Sequence, residues 1–547
     1  MDLKFLQQEY QYLISERRQA ASEWQRIAEY LLPNLQSITK SGFEGYKKTE
    51  RVHDTTGIDA LDKLTSLIIG TVTSDVLRWF MAEFSEPAIN LLPEVQFWLS
   101  DTSDRLFAAI NESNYKVEGP GVIRDIVAFG TGGVFLNEVE EQFRMTDDFR
   151  GLLFKGQPIG TYTIQEDGMG QIRQQTREFR LPAGAILKRW PKGSYKASTL
   201  KLMIERPYER LSVVHDVRMG KNRYESTYYV AGRTPLAGGE FANTAQFEPA
   251  HESFFHEWPF AFPRWDTATG EVWGFGRGHL ALPEVATLNR ARQLKLRQWA
   301  LAVNPPLLAI DDGVINTPKL IPGGLTRIRF DGALRPLESG ARFDHASIPE
   351  NESKLQIRQI FFTEQILQFA PQAKTPPSAT EVAQRMEFLH QLLGPSTGRL
   401  KYEFLAPVLG RALNIMERAG ALLPRPPIMR PELGHVRFNF EGPLARSQRA
   451  DELRAVGDTM AVVGNLAAVN PDVWDNYDLD EMALDASRLT GISRRYIRDT
   501  ETRDGIRAQR AEQQAQSQQM AQLQQGAQAA KDMGAAQKSF SEATGNQ

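Results

Sequence analysis

The chain contains no cysteine in 547 residues. That absence excludes disulfide scaffolds, cysteine-ligated zinc, iron–sulfur clusters and thiol catalysis together. It also lacks a charge excess: 64 Lys and Arg against 67 Asp and Glu leave a formal charge of −3. A body this balanced does not adhere to nucleic acid by bulk charge, so any contact with DNA is local or weak. Long apolar runs are missing too. The longest weakly polar stretch, around Met460–Val469, is short and Asn-interrupted, and Met1–Tyr10 carries Asp2, Lys4 and Glu9 where an export signal needs an apolar core. No phosphate loop exists: the only Gly-Lys pair, Gly220-Lys221, is followed by Asn222 and preceded by His215 where the first glycine belongs.

What is present is ordinary globular composition, 41% hydrophobic and 24% charged. At roughly 150 residues per domain the length predicts three to four domains or one elaborate subunit. No internal repeat stands out. Leu6, Tyr10, Leu13, Trp24, Ile27 and Leu31 recur at helical spacing, and Pro33 stops that helix. Asp54-Thr55-Thr56 predicts the cap of a second helix with Ile58, Leu61, Leu64 and Ile68 on one face. A third helix starts near Pro93 and carries Phe97, Trp98 and Leu106.

From Val134 to Phe262 short alternating runs predict a mostly antiparallel sheet region, with a turn at Asp167-Gly168 and a strand over Tyr224–Val230. Helices return at Leu282. Glu284–Val303 is free of Gly and Pro, and Asn304-Pro305-Pro306 ends it. After a small loop-and-strand insert, a second helix covers Glu350–Phe369, so two helices of about 30 Å each flank the insert. A longer helical stretch, Thr380–Ala419, is interrupted at Gly394-Pro395 and Pro407. Ser447–Ala468 and Leu479–Thr490 also read as helices. Residues 509–528 hold ten Gln and predict either a low-complexity tail or a helix that bundles with copies of itself.

Four patterns invite a chemical reading. Gly274-Phe275-Gly276-Arg277-Gly278 has the wrong spacing and context for a dinucleotide loop and reads as a tight turn. His251 and His256 lie five apart, about 140° around a helix, so they do not share a metal from one helical face. Asp475, Asp478, Asp480 and Glu481 read as helix-start acids, with a divalent-metal site as the rival. Arg290, Arg292, Lys295 and Arg297 form a basic run that faces solvent, another subunit or DNA.

Ordered blocks add a resemblance. They are Leu31-Leu32-Pro33, Asp54-Thr55-Thr56, Trp79-Phe80, Arg264-Trp265, Gly274 to Gly278, Ala281-Leu282-Pro283, Leu288-Asn289 and Ala302 to Leu308. They continue as Ala379-Thr380-Glu381-Val382, Arg385, Leu393-Gly394-Pro395, Arg399-Leu400, Glu403, Pro407, Arg418-Ala419-Gly420, Leu423-Pro424, Asp478-Leu479-Asp480 and Thr490-Gly491-Ile492. Across most of residues 25 to 500 the chain resembles the head-to-tail connecting, or portal, proteins of T7-like short-tailed phages. It departs from them in lacking a Pro before Trp79-Phe80, and in having Pro376-Pro377-Ser378 where Met-Thr is more usual.

The resemblance implies an α+β, predominantly helical portal fold and a structural rather than catalytic role, with no cofactor. It implies a wing over 1–280, a first stem helix over 281–303, a clip over 304–348 and a second stem helix over 349–370. A tunnel loop over 371–379, a long wing helix over 380–425, a crown over 426–505 and a tail or barrel helix over 506–547 complete it. Lys374, Gln372 and Arg385 are then expected to face a DNA channel. The run from Arg290 to Arg297 would make stem contacts. Asp311, Asp312, Lys319, Arg327 and Arg329 in the clip would meet the terminase large subunit and later the tail adaptor or tube proteins. By the same resemblance, copies of the chain, usually twelve, form a ring at one capsid vertex. The ring engages major capsid, scaffolding and internal core proteins and double-stranded DNA, but no membrane. It assembles in the bacterial cytoplasm and ends in the virion. The alternatives are another tail component or a metal-dependent nuclease.

Overall fold

A computed structural model of the chain describes residues 3–35, 38–39, 49, 51–73, 78–90, 92–139, 149–235, 241–303, 307–309, 327–331, 333–336, 347–364, 393–394, 396–430, 432, 434–440, 443–468, 470–490, 498, 502–517, 520, 528, 531 and 533. The chain divides into two compact units. The first comprises Met1–Ser85, Asp101–Arg425 and Gly434–Ser447; the second comprises Glu86–Ser100, Pro426–Leu433 and Gln448–Gln547.

The first unit opens with α1 (Leu3–Leu31), whose apolar stripe buries Leu6, Tyr10, Leu13, Trp24, Ile27 and Leu31, as its spacing predicts. In α2 (Thr56–Val72) the capping acceptor is Asp54, whose Oδ1 receives the Thr56 amide at 2.8 Å. After β1 (Phe80–Phe84), the chain forms α3 (Pro87–Asn90) and α4 (Pro93–Glu112). Of the three large apolar residues named on that helix, Phe97 is 45% exposed, whereas Trp98 and Leu106 are buried.

A helix that local sequence conceals comes next. Gly119-Pro120-Gly121 reads as a turn, yet α5 (Tyr115–Phe129) runs straight through it. Burial of Val122, Ile123, Ile126, Val127 and Phe129 overrides the weak local propensity.

The β region is antiparallel throughout its described pairings. Strands β2 (Val134–Glu138), β3 (Leu152–Gly156) and β9 (Phe260–Ala261) form one sheet in the order β3-β2-β9. The second sheet is a five-stranded meander of β4 (Tyr162–Glu166), β5 (Ile172–Pro182), β6 (Arg210–Met219), β7 (Tyr224–Pro235) and β8 (Phe241–Phe255). The β4–β5 turn forms where expected: Asp167 Oδ1 accepts the Met169 and Gln171 amides at 2.8 and 2.9 Å, and Gly170 supplies a φ of 75°. Between β5 and β6 lie two helices absent from the sequence reading, α6 (Ala183–Arg189) and α7 (Ala197–Glu205). They cover Leu211, Val213 and Val230 on one sheet face, while Leu6 and Tyr10 of α1 cover Val214, Tyr229 and Phe247 on the other.

Helix α8 (Arg277–Val303) begins several residues before the expected start and carries Pro283 inside it. Its early start is capped: the Gly276 amide donates to Nδ1 of His279 at 3.1 Å, so a side chain one turn in satisfies a helix-end amide that has no partner within the helix. A short antiparallel pair, β10 (Leu307–Ala309) with β11 (Leu334–Pro336), separates α8 from α9 (Ser347–Ile360). The continuous helix expected over Glu350–Phe369 is interrupted at Phe361–Phe362, where the chain turns and Phe362 takes φ 54°; Thr363 and Glu364 are helical again, and residues 365–369 lie outside the described residues.

Pro407 does not interrupt the later helix either. A π-helical turn over Lys401–Leu405 leads directly into α10 (Ala406–Arg418), placing Pro407 in its first turn, where a missing amide donor costs little. Strand β12 (Val436–Phe440) returns to pair with β1, joining Phe80 to Phe440 and Phe84 to Val436. The chain then forms α11 (Pro443–Ala467).

In the second unit, α12 (Leu479–Thr490) follows a short 3-10 turn over Pro471–Asn476. Residues 502–517 are helical with mostly exposed side chains. Arg507 grips Asp480 with two bonds, at 2.6 and 2.7 Å. Among the described residues no helix is long and apolar enough to cross a membrane.

Candidate functional site

Several blocks of the resemblance converge on one junction in the first unit. The α5 helix ends at Gly130 with φ 80°, a left-handed cap that glycine adopts without strain. Gly274, Gly276 and Gly278 lie against that end. A Cβ on any of them would overlap backbone atoms of Ala128 or Gly130. The Trp265 amide donates to Gly130 O at 2.8 Å and the Gly274 amide to Thr131 Oγ1 at 2.8 Å. The glycine pattern is therefore structural: it serves close approach of two backbones where the chain enters α8, and the Gly274, Phe275 and Gly276 amides are all taken by protein partners.

Beside this junction Arg264 is 8% exposed. Its backbone amide and Nε donate to Glu403 at 2.9 and 3.2 Å, Nη2 reaches the other Glu403 oxygen at 3.1 Å, and Nη1 pairs with Glu166. Burial lowers the Arg264 pKa, but the two carboxylates outweigh it and leave it raised. Arg399 also bridges, donating to Thr267 Oγ1 at 2.5 Å. Three separated blocks, at Arg264, Arg399 and Glu403, are thus one electrostatic knot that fixes the π turn against the sheet.

A second polar cluster ties α8 to its neighbours. Buried Asn289 accepts the His53 and Asp54 amides on Oδ1 at 2.6 and 3.0 Å and donates to Val285 O at 2.8 Å. Arg292 and Lys354 approach Asp54 at 3.5 and 3.7 Å. Burial pushes the Asp54 pKa up, but bonds from Thr56 and these two cations outweigh it and leave it below the ordinary value. Lys295 meets the buried Glu350 at 3.3 Å and lies 5.8 Å from the Trp299 ring centroid.

The basic run is consequently split. Arg292 and Lys295 are neutralised inside the subunit. Arg290 donates to Gln293 at 2.9 Å and is exposed; Arg297 is exposed and has no ion pair among the described residues. Seven residues apart, these two share one helix face. In the insert, Arg327 and Arg329 are exposed. Asp311, Asp312, Lys319, Gln372, Lys374 and Arg385 lie outside the described residues.

The remaining sequence candidates resolve into structural roles. His251 sits in β8, with His256 just beyond it, so the pair is not on a helix. Asp478 Oδ1 accepts the Asp480 amide at 3.1 Å at the start of α12, and Asp480 binds Arg507. Among the described residues no group of three or more His, Asp and Glu is placed to hold a metal ion. The Arg264–Glu403 bond itself had no sequence signal: the partners stand 139 residues apart.

Comparison with known proteins matches this sequence to one family. The family described as bacteriophage head to tail connecting protein matches residues 3–497. The chain is 25% identical over 560 residues to the probable portal protein of Bordetella phage BPP-1, covering 99% of this chain and 97% of that protein. It is 25% identical over 538 residues to the portal protein of Salmonella phage epsilon15, covering 96% and 94%. A solved virion of a native gene transfer agent particle contains a chain 12% identical to this one, with 78% of this chain and 94% of that chain covered, at a TM-score of 0.29, too low to establish a common fold. With a match spanning nearly its whole length, this chain belongs to the bacteriophage head to tail connecting protein family.

Proposed function

We propose that copies of this chain close into a dodecameric portal ring at one capsid vertex, through which double-stranded DNA enters during packaging and leaves at ejection. One observation carries the assembly part of this reading. From Leu294 onward, α8 exposes large apolar side chains on opposite sides: Leu294 and Leu301 on one, Leu296, Trp299 and Val303 on the other, all between 45% and 86% exposed. Apolar side chains on two opposite flanks of one helix need cover on both. Two distinct flanks suit head-to-tail contacts, which close into rings, better than one self-complementary patch.

In this reading α8 and α9 supply the stem pair expected over 281–303 and 349–370, and the 304–348 insert is the clip that docks terminase and then the tail adaptor. Residues 1–280 and 380–425 make the wing, 371–379 the tunnel loop, 426–505 the crown, and 506–547 the tail or a barrel helix. Arg290 and Arg297 supply the cationic part of the stem contact. Lys374, Gln372 and Arg385 face the channel. The net charge of −3 suits a conduit, because a strongly basic channel would hold phosphate too tightly for the duplex to slide. The role is mechanical, and the virion is its destination.

Gold labelling of a tagged chain in intact particles tests the placement. Label at a single vertex, where head meets tail, supports it. Label spread along a tail, or its absence from particles, rejects it.

A further inference from the structure

Helix α9 stops where its sequence does not. Leu355 to Glu364 reads Leu-Gln-Ile-Arg-Gln-Ile-Phe-Phe-Thr-Glu, with neither glycine nor proline. The buried stripe of Glu350, Ser353, Ile357 and Phe361 continues at helical spacing past the helix end at Ile360. The Phe361 amide still donates to Ile357 O at 3.2 Å, in helical fashion. The Phe362 amide bonds Gln359 O instead, at 3.0 Å and only three residues back. Phe362 has φ 54° and is the only non-glycine residue with positive φ among the described residues. At a helix C-terminus that conformation belongs to Gly or Asn, because an L side chain crowds the neighbouring carbonyl. A phenylalanine persists there only if its surroundings hold it.

Arg277 lies over its ring. Its guanidinium carbon lies 4.5 Å from the Phe362 ring centroid and 5.9 Å from that of Trp265. The Arg277 backbone is fixed on both sides by Gly276 and Gly278, pressed onto the end of α5. This gives the glycine block a second consequence: it aims one arginine across at α9. The arrangement is not fully satisfied. Arg277 Nε and Thr363 Oγ1 are both buried without a hydrogen-bond partner among the described residues, and Thr363 is 1% exposed. In a continuing helix the Thr363 hydroxyl can reach the carbonyl four residues back, at Gln359.

We propose that Phe361–Thr363 is a two-state joint latched by Arg277. With the latch closed, the Phe362 ring is held under the guanidinium and α9 is broken. With it open, Phe362 returns to right-handed φ and α9 runs unbroken into Thr363 and Glu364, which in the closed state form a separate helical start beyond the turn. Arg277 is the first residue of α8, so a shift of α8 acts on the end of α9 directly. The joint stands on this geometry alone and does not depend on ring formation.

Amide hydrogen exchange on the full-length protein tests it. A continuous helix bonds the Thr363 amide to Gln359 O and the Glu364 amide to Ile360 O. Arg277→Gln is expected to slow exchange at Thr363 and Glu364 roughly tenfold, whereas Arg277→Lys, which keeps a cation over the ring, leaves it near wild type. Unchanged exchange in Arg277→Gln, or faster exchange along all of α9, overturns the proposal. A second pair of variants serves if Arg277→Gln fails to fold. Phe362→Ala and Phe362→Gly both delete the ring, but only alanine resists the left-handed conformation. Slower exchange at Thr363 and Glu364 in Phe362→Ala than in Phe362→Gly supports the joint; equal exchange in the two rejects it.

Discussion

Replacing Asp125 by Asn should stabilise the protein, and more so as pH rises. Asp125 lies on the packed face of α5 and is 8% exposed. Burial pushes its carboxyl from an ordinary 3.8 up to about 7, with Arg124 pulling weakly the other way. Below about pH 4 both folded and unfolded chains hold the proton, and the group does not affect stability. Between about 4 and 7 the unfolded chain releases a proton that the folded chain keeps, so stability falls with pH; above about 7 the loss levels off. At 1.36 kcal/mol per pKa unit, a shift of about three units amounts to roughly 4 kcal/mol at most. Asparagine keeps the shape and removes the titration. Urea unfolding, followed by tryptophan fluorescence at about pH 4.5, 6 and 8, should show the smallest advantage for Asp125→Asn, roughly 1 kcal/mol, at the lowest pH and one that widens upward. Two curves running parallel across this range would refute the reasoning.

Arg264→Ala leaves half-buried Glu166 without its cation and Glu403 with Arg399 alone, 3.5 Å away, and should cost about 3–5 kcal/mol in the same unfolding assay; a loss below about 1 kcal/mol would show that the knot is dispensable. Gly276→Ala drives a Cβ into the Gly130 backbone and should cost about 1–3 kcal/mol. Gly410→Ala, inside α10 with nothing within 4 Å of the new methyl, should instead stabilise by about 0.5–1 kcal/mol. Loss of stability at both glycines, or at neither, would contradict the close-approach argument.

Particular elements show what the sequence reveals and where it stops. The α1 stripe and the β4–β5 turn were legible because apolar spacing and turn chemistry are local properties. The α5 helix was not, since Gly119-Pro120-Gly121 argues for a turn and only the burial of its flanking residues reverses that. The break at Phe362 was hidden for the opposite reason: the local pattern is helical, and the group that opposes it, Arg277, is distant in sequence. The basic run on α8 was visible as charge. That Arg292 and Lys295 are neutralised by Asp54 and Glu350 was not, because those partners lie 238 and 55 residues away. The resemblance located Arg264 and Glu403 as landmarks, and their geometry supplies the reason: they clamp the π turn.

Native mass spectrometry of the purified full-length protein tests the account's central claim most directly. A closed ring predicts a discrete species at twelve times the 61.6 kDa subunit mass, paired with images showing a central opening. A monomer or an open-ended series of sizes across concentration and salt would contradict it.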